Sequence, residues 1–349
     1  MTINKIIILL LLLFSYLISE AQEEFRIMFY NTENLYDTKD NPKTNDDDLT
    51  PQGNLRWTNT RYWKKQNNIS SVISAVGNGR PPTLVGLCEV ENDSVLLDLT
   101  QHTTLRKDNY RYIITSSKDM RGSNVALLYQ RDQFKVVATR HYTPYYDIDS
   151  LKATRDILHV TGKIVNGDTL DVFVCHFPSR REGIKKTRPL RIRCAEMLKE
   201  KTDSISKIRP NPNIIIMGDF NDYPNDISMS QALGAESIEE AELTVTFFLY
   251  NMFYDKMKDK SIGSYKYKGK WGYVDQFIVS GSLLDDNRPT YIRGWEAHVF
   301  SSDFLLEKDS EKYGGMKPFR TYSGWKYLGG YSDHLPIYMD LNIIFIPNK

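Results

Sequence analysis

Apolar and polar positions along this chain alternate in short runs broken by Gly, Asn, Asp and Pro, the signature of strands punctuated by turns. Runs of this kind occupy residues 25–30, 83–88, 110–115, 125–130, 134–139, 157–165, 170–175, 214–217, 274–279 and 337–343, all rich in Val, Ile, Leu, Phe and Tyr. Two stretches follow a helical period instead. Within 60–76, Ile69, Val72, Ile73 and Val76 recur at i, i+3, i+4 and i+7. Within 187–201, Leu190, Cys194, Met197 and Leu198 share a face, with Thr187 placed to cap and Pro189 suited to the first turn. Many strands and few helices, with no repeat and no low-complexity linker, predict a mixed α/β class: two packed sheets with helices outside.

The first 21 residues read as an export signal. Lys5 is the only charge before the apolar run Ile6 to Leu13, which Phe14, Tyr16, Leu17 and Ile18 extend. Ser19 and Ala21 then supply small residues before Gln22. The run is about 13 residues, short of the roughly 20 that span a bilayer. One domain is expected over 22–349, exported to the periplasm or medium, a monomer with no stable membrane insertion. Cys88, Cys175 and Cys194 are an odd number, and Cys88 and Cys175 sit in strand-like runs where Cys behaves as a small hydrophobe. Spacing does not decide whether those two form a disulfide. Cysteine zinc is excluded, because no CxxC pair exists.

Composition narrows the class further. The 349 residues are 41% hydrophobic and 12% aromatic, which excludes a disordered chain or a disulfide scaffold. A net charge of +1 excludes coating nucleic acid by bulk charge. Two long segments read as insertions. Residues 37–59 carry Asp37, Asp40, Asp46, Asp47 and Asp48, a solvated acidic loop without the spacing or closing Glu of an EF-hand. Residues 291–331 hold ten aromatics and several glycines, a segment expected to wall a substrate cleft.

The candidate chemistry lies where apolar runs stop abruptly in polar side chains. Residues 25–30 run into Asn31-Thr32-Glu33-Asn34, 83–88 into Glu89, and 170–175 into His176-Phe177-Pro178-Ser179. Residues 214–217 run into Gly218-Asp219-Phe220-Asn221, and Ser332-Asp333-His334 precedes the last run. Each alone is an ordinary turn. Gathered at one edge of two sheets, they would make a cleft holding Asn31, Glu33, Glu89, His176, Asp219, Asn221, Asp333 and His334. Carboxylates with a carboxamide and no thiolate form a hard oxygen site that favours Mg²⁺ or Mn²⁺. Two histidines beside it can hold an anion or move protons. That set suits hydrolysis of a phosphoester.

In their order along the chain, Asn31-Thr32-Glu33-Asn34-Leu35, Gly86-Leu87-Cys88-Glu89-Val90, Cys175-His176-Phe177-Pro178-Ser179, Gly218-Asp219-Phe220-Asn221-Asp222, Val274-Asp275 and Ser332-Asp333-His334-Leu335-Pro336 resemble the endonuclease/exonuclease/phosphatase superfamily, in its deoxyribonuclease-like, exported bacterial form. The resemblance implies a four-layer αββα sandwich with the site at one edge of the paired sheets. It implies that Glu89 ligates a metal, with Asn31, Glu33 and Asp333 in support. It assigns the attacking water to Asp219 with Asn221 beside it, the scissile phosphate to His334, the orientation of that histidine to Asp275, and a second phosphate contact to His176. Arg155 resembles a phosphate-contacting arginine. Glu33 stands where many members have Asp, and Cys88 replaces a Gln. His176 with Ser179 replaces the Tyr and Asn of abasic-site repair enzymes, and the inositol-polyphosphate phosphatase signature is absent around 271–276.

The substrate is left open. Arg180, Arg181, Lys185, Lys186, Arg188, Arg191 and Arg193 crowd the segment after His176, with only Glu182 acidic. They read as a rim where Ser179, Arg180 and Arg181 contact substrate phosphate, a track for DNA or RNA. The same patch serves a phosphatase, or a phosphodiesterase acting on small phosphoesters or lipid head groups such as sphingomyelin. A plain solvated helix face is the structural alternative.

Overall fold

The computed structural model describes residues 25–144, 154–239 and 248–345. The expected export signal lies outside them. In chain order the strands are β1 (Phe25–Leu35), β2 (Leu84–Val90), β3 (Arg111–Ile114), β4 (Asn124–Tyr129), β5 (Phe134–Tyr142), β6 (Ile157–Ile164), β7 (Thr169–His176), β8 (Asn213–Asp219), β9 (Ala235–Glu236), β10 (Leu249–Asn251), β11 (Asp275–Ser280), β12 (Thr290–Val299) and β13 (Ile337–Ile343). They form a six-stranded sheet, β12-β13-β1-β2-β4-β3, and a seven-stranded sheet, β5-β6-β7-β8-β11-β10-β9. Both are mixed: β1 and β2 are parallel, as are β7 and β8, while β13 and β11 join them antiparallel.

Strand alternation builds the layers, because successive side chains point to opposite faces. From β1, Phe25, Ile27 and Phe29 enter the core between the sheets, where β8 contributes Ile215 and Met217. Met28 and Tyr30 face outward onto helices α1 (Asn59–Gly77) and α2 (Asp93–Gln101). From β8, Ile214 and Ile216 pack against Cys194, Ala195 and Leu198 of α3 (Ile184–Ile208). The order is helices, sheet, sheet, helix. Each fully buried Leu, Ile or Phe contributes about 1.5–3 kcal/mol, so the paired sheets form a stiff platform for side chains at their edge. Among the described residues no helix is long and apolar enough to cross a membrane.

Several expectations need correction. The segment read as an insertion from 291 begins with β12, which completes the six-stranded sheet beside β13. A bulge between Ile292 and Ala297, with Trp295 at φ 54°, breaks its alternation. Helix α3 starts at Ile184, so Thr187 is internal, its hydroxyl donating back to the Gly183 carbonyl, and Pro189 lies within the helix. Helix α2 was not anticipated; Asn92 caps it by accepting from the Val95 N–H at 3.1 Å. Cys88 sits in the core between the sheets and Cys175 on the outer face under α3, so the two cannot pair. In the acidic loop, Asp46 is buried and accepts from the Thr44 hydroxyl at 2.7 Å.

Candidate active site

Three neighbouring strands set the first row of the site. Parallel β7 and β8 both end at one edge of the sheet, and antiparallel β11 begins there. Their register places His176 opposite Asp219 and Asp219 opposite Asp275. From the other sheet Asn31 reaches across, its Nδ2 donating to Asp219 Oδ2 at 3.1 Å. Ser332 Oγ donates to the Asn31 carbonyl at 2.7 Å and accepts from the His334 N–H at 3.1 Å, tying the approach to β13 to the end of β1.

The backbone is bent to aim these groups. Glu33, Asn34, Glu89 and Asn221 hold φ of 50°, 58°, 59° and 52°, a left-handed region costly for residues other than glycine. The pairing of β1 with β2 shifts register over this stretch, as bulges beside active sites do. The bends turn backbone N–H groups onto carboxylates. Asn34 N–H donates to Glu89 Oε2 at 3.0 Å, and Asn221 N–H to Asp219 Oδ1 at 2.9 Å.

The two histidines sit in opposite electrostatic settings. His334 Nδ1 is 2.7 Å from Asp275 Oδ2, while its Nε2 faces Asp219 Oδ2 at 3.9 Å. Burial alone would lower its pKa, but Asp275, by charge and hydrogen bond, and then Asp219 and Asp333 raise it well above the ordinary value. His176 Nε2 lies 3.7 Å from Asp219 Oδ2 and 3.9 Å from Glu89 Oε1. Burial, then Arg155, Arg121 and His334, push His176 well down. The two rings are thus pushed in opposite directions, His334 toward the protonated form and His176 toward the neutral one. Asp219 is raised to about 7 by burial, with Asp275 and Glu89 adding to it and His334 opposing. Opposed environments of this kind separate acid from base.

A second ring of groups supports the first. Glu33 accepts from Arg320 Nε at 3.2 Å and from the Thr321 N–H at 2.5 Å. Arg320 also donates to Asp333 Oδ2 at 3.0 Å. Buried Lys65 of α1 donates to Thr321 Oγ1 at 2.6 Å and the Tyr331 carbonyl at 2.5 Å. Burial raises Glu33 and lowers Lys65, and the charge of each partly opposes the shift of the other. Arg155 donates to Asp119 Oδ2 at 3.2 Å and the Phe177 carbonyl at 2.8 Å, leaving its buried Nε without a hydrogen-bond partner.

The donor set suits a hard divalent ion. Asp219, Asp275 and His334 bring ligand-type atoms within 4.8 Å of one another, a grouping that could hold a metal only with the His334 ring deprotonated. Asp275 Oδ1 is buried without a hydrogen-bond partner, and Asp219, raised first by burial and then by Asp275 and Glu89, is a carboxylate whose charge a cation would stabilise.

A family model described as "Endonuclease/Exonuclease/phosphatase family" matches residues 26–343. The chain belongs to this family. As a member of the endonuclease/exonuclease/phosphatase family it is a phosphoesterase-type hydrolase, in a family that is metal-dependent in general. A Bacteroides thetaiotaomicron endonuclease/exonuclease/phosphatase family protein is similar in fold, with a TM-score of 0.56 at 15% identity, covering 92% of this chain and 98% of that one. A B. thetaiotaomicron mannosyl-6-phosphatase aligns with a TM-score of 0.53 at 16% identity, over 91% and 99%. D. rerio TDP2 complexed with single strand DNA product aligns with a TM-score of 0.53 at 13% identity, over 92% and 99%. No curated protein matches the sequence. The two mixed sheets with outer helices are the α/β sandwich of the family.

Within this family fold, the expected residues are brought together unevenly. Asn31, Glu89, His176, Asp219, Asn221, Asp275, Asp333 and His334 meet at one edge of the sheets, with Asn221 Nδ2 donating to the Phe177 carbonyl at 3.1 Å. Both oxygens of Glu33 are spent on the segment at 320–321, and Arg320 links Glu33 to Asp333. Arg180, expected on substrate phosphate, is held by Asp222, Asp226 and the Asn221 carbonyl. Arg191 is fully buried, with its Nε 2.8 Å from Asp222 Oδ2. Ser179 and Arg181 are exposed on the loop before α3. Lys65, Asp119, Arg121, Arg320 and Tyr265 escaped the sequence reading, since each meets the site only through contacts distant along the chain.

Proposed function

We propose that this chain is an exported, monomeric phosphodiesterase that requires Mg²⁺ or Mn²⁺ and hydrolyses DNA or RNA. The observation that carries the hydrolytic reading is Asp219, set between His176 at 3.7 Å, pushed toward its neutral form, and His334 at 3.9 Å, pushed toward its protonated form, with Asp275 behind the latter. Asp219, raised to about 7, takes the proton of the attacking water as the phosphorus–ester oxygen bond breaks, and the leaving oxygen takes a proton from solvent. The Nε2–H of His334 donates to a phosphoryl oxygen, and Asp275 fixes that tautomer and charge. Asn31 orients Asp219 through its carboxamide. Glu89 with Asn31 would hold the ion, leaving Asp219 and His334 for the water and the phosphate; Asp333 Oδ1 lies 4.0 Å from His334 Nε2, the nitrogen that also faces Asp219. When bound, that ion supplies neutralisation of phosphoryl charge.

A small phosphoester or lipid head group is the second reading. What favours it is the state of the basic patch after His176: Arg180 and Arg191 are spent on Asp222, and Arg193 lies 3.5 Å from Glu196. The mannosyl-6-phosphatase fold relative sits on this side, and TDP2 with its DNA product on the other.

The test incubates the chain from Gln22 with supercoiled DNA, single-stranded RNA, bis-p-nitrophenyl phosphate, p-nitrophenyl phosphate and sphingomyelin, each with Mg²⁺, Mn²⁺ or EDTA. EDTA-sensitive cleavage of nucleic acid that weakens with salt is expected. Turnover of monoesters or head groups with intact nucleic acid selects the second reading. Turnover of nothing refutes both.

A further inference from the structure

The hairpin at 265–272 has a side that the hydrolytic reading leaves unused. Tyr265–Tyr267 pairs with Lys270–Gly272, closed by Lys268 and Gly269 at φ 48° and 81°. Two successive left-handed residues make the type I′ turn that matches strand twist. Lys266 and Trp271 occupy the back: Lys266 Nζ donates to the Gly314 and Met316 carbonyls at 2.9 Å and lies 5.7 Å from the Trp271 ring. Strand alternation sends Tyr265 and Tyr267 to the front.

That front face runs out from the phosphate-binding histidine. The Tyr265 ring packs on His334 with centroids 4.7 Å apart, and the two residues share a backbone bridge. Gly272, opposite Tyr265, leaves room for Tyr223: a Cβ there would lie 2.3 Å from the Tyr223 ring. Tyr223 itself lies under the Arg180 guanidinium at 4.7 Å. Two rings thus sit beside the phosphate position. Tyr267 lies one pleat further out, about 7 Å on. It is 57% exposed, with Lys268 Nζ 5.3 Å from its ring. Lys268 and Lys270 are exposed beside it.

We infer that Tyr267 is a specificity-determining residue: it stacks the base of the nucleotide adjoining the scissile phosphate, while Lys268 and Lys270 meet the next phosphate. This rests on the phosphodiesterase reading above. The occupant is a nucleic-acid strand because the face offers a flat ring at one step from the phosphate site and positive charge at the next, the alternation of base and phosphate. A bare polyanion would use the lysines and ignore the ring.

The experiment is done in EDTA, so that it does not depend on turnover. A short single-stranded oligonucleotide containing 2-aminopurine is titrated with wild-type protein, Tyr267→Ala and Tyr267→Phe, beside an abasic chain of equal length. Wild-type protein and Tyr267→Phe quench the 2-aminopurine fluorescence and bind the base-bearing chain more tightly than the abasic one. Tyr267→Ala loses the quenching, and its preference for bases falls roughly tenfold. Unquenched fluorescence with wild-type protein, or equal affinity for the two chains, overturns the inference. The hydrolase reading is judged separately, by turnover of bis-p-nitrophenyl phosphate.

Discussion

Two buried histidine–aspartate pairs in this protein use the same side chains to different ends. On the outer face of the seven-stranded sheet, His159 Nε2 lies 2.9 Å from Asp171 Oδ1 and its Nδ1 lies 3.2 Å from the Tyr142 hydroxyl. Its ring stacks on Phe173 at 4.2 Å. Asp171 also accepts from Thr161 at 2.7 Å and from Arg209. Burial pushes Asp171 up, but the hydrogen bonds of His159 and Thr161 and the charge of Arg209 bring it below the usual range. At the strand ends, His334 has one nitrogen on Asp275 and the other facing Asp219 at 3.9 Å, beyond hydrogen-bond range. The first pair is saturated. The second is held from one side and open on the other, which makes it able to bind something.

The sharpest way to break this contrast is substitution on both sides. Asp219→Asn and His334→Ala should each lower kcat/KM by about 10²- to 10⁴-fold. Asp219→Asn should not lower the thermal midpoint, because it removes a charge that burial disfavours, whereas His334→Ala should lower it by stranding buried Asp275. Asp171→Asn should do the reverse of Asp219→Asn, costing roughly 3 kcal/mol by stranding its buried partner while the folded protein keeps its kcat/KM. If Asp171→Asn lost activity and kept its stability, the two pairs would not differ as described. Glu33→Gln sharpens the boundary of the site itself. As an anchor of the 320–321 segment it should destabilise by about 1–3 kcal/mol and leave Mg²⁺ affinity by calorimetry unmoved; a large loss of affinity would return Glu33 to the metal.

The smallest expected effect is on pH dependence. Asp219 and Glu91 are both raised to about 7, each by burial first. The folded state therefore binds more protons than the unfolded one between about pH 4 and 7. Their contribution to stability is complete below pH 4 and is lost as pH rises to 7. Thermal midpoints in EDTA should fall across that window, and added Mg²⁺ should recover part of the loss at the upper end. Activity should run the other way, declining below pH 7 as Asp219 takes up its proton.

The sheets were legible because burial on one or both faces writes itself as alternation or as apolar runs. All ten expected strands lie in the two sheets, within a few residues of their bounds. β12 was hidden by its own bulge: Arg293, Gly294 and Glu296 interrupt the pattern between two short buried ends. α2 spans only nine residues, too few to assert a helical period. In the site, Asp219 and His176 were readable as polar breaks at the ends of apolar runs. Glu33 carried the same signal, yet its partner Arg320 lies 287 residues away and holds one of its oxygens. Arg180 and Arg191 likewise read as surface charge until Asp222 claimed both.

The closure of the six-stranded sheet has a consequence for biosynthesis. β1 pairs with β13 from Phe25–Leu341 through Phe29–Ile337, and the site combines Asn31 with Ser332 and His334. Translation delivers these halves 301 residues apart. A nascent chain still missing its last strand holds Asn31, Glu89 and Asp219 but lacks the histidine set against Asp275, and the flank of β1 awaits its partner. The hydrolytic centre is thus completed only once the segment bearing Ser332 and His334 has been made, long after Asn31, Glu89 and Asp219.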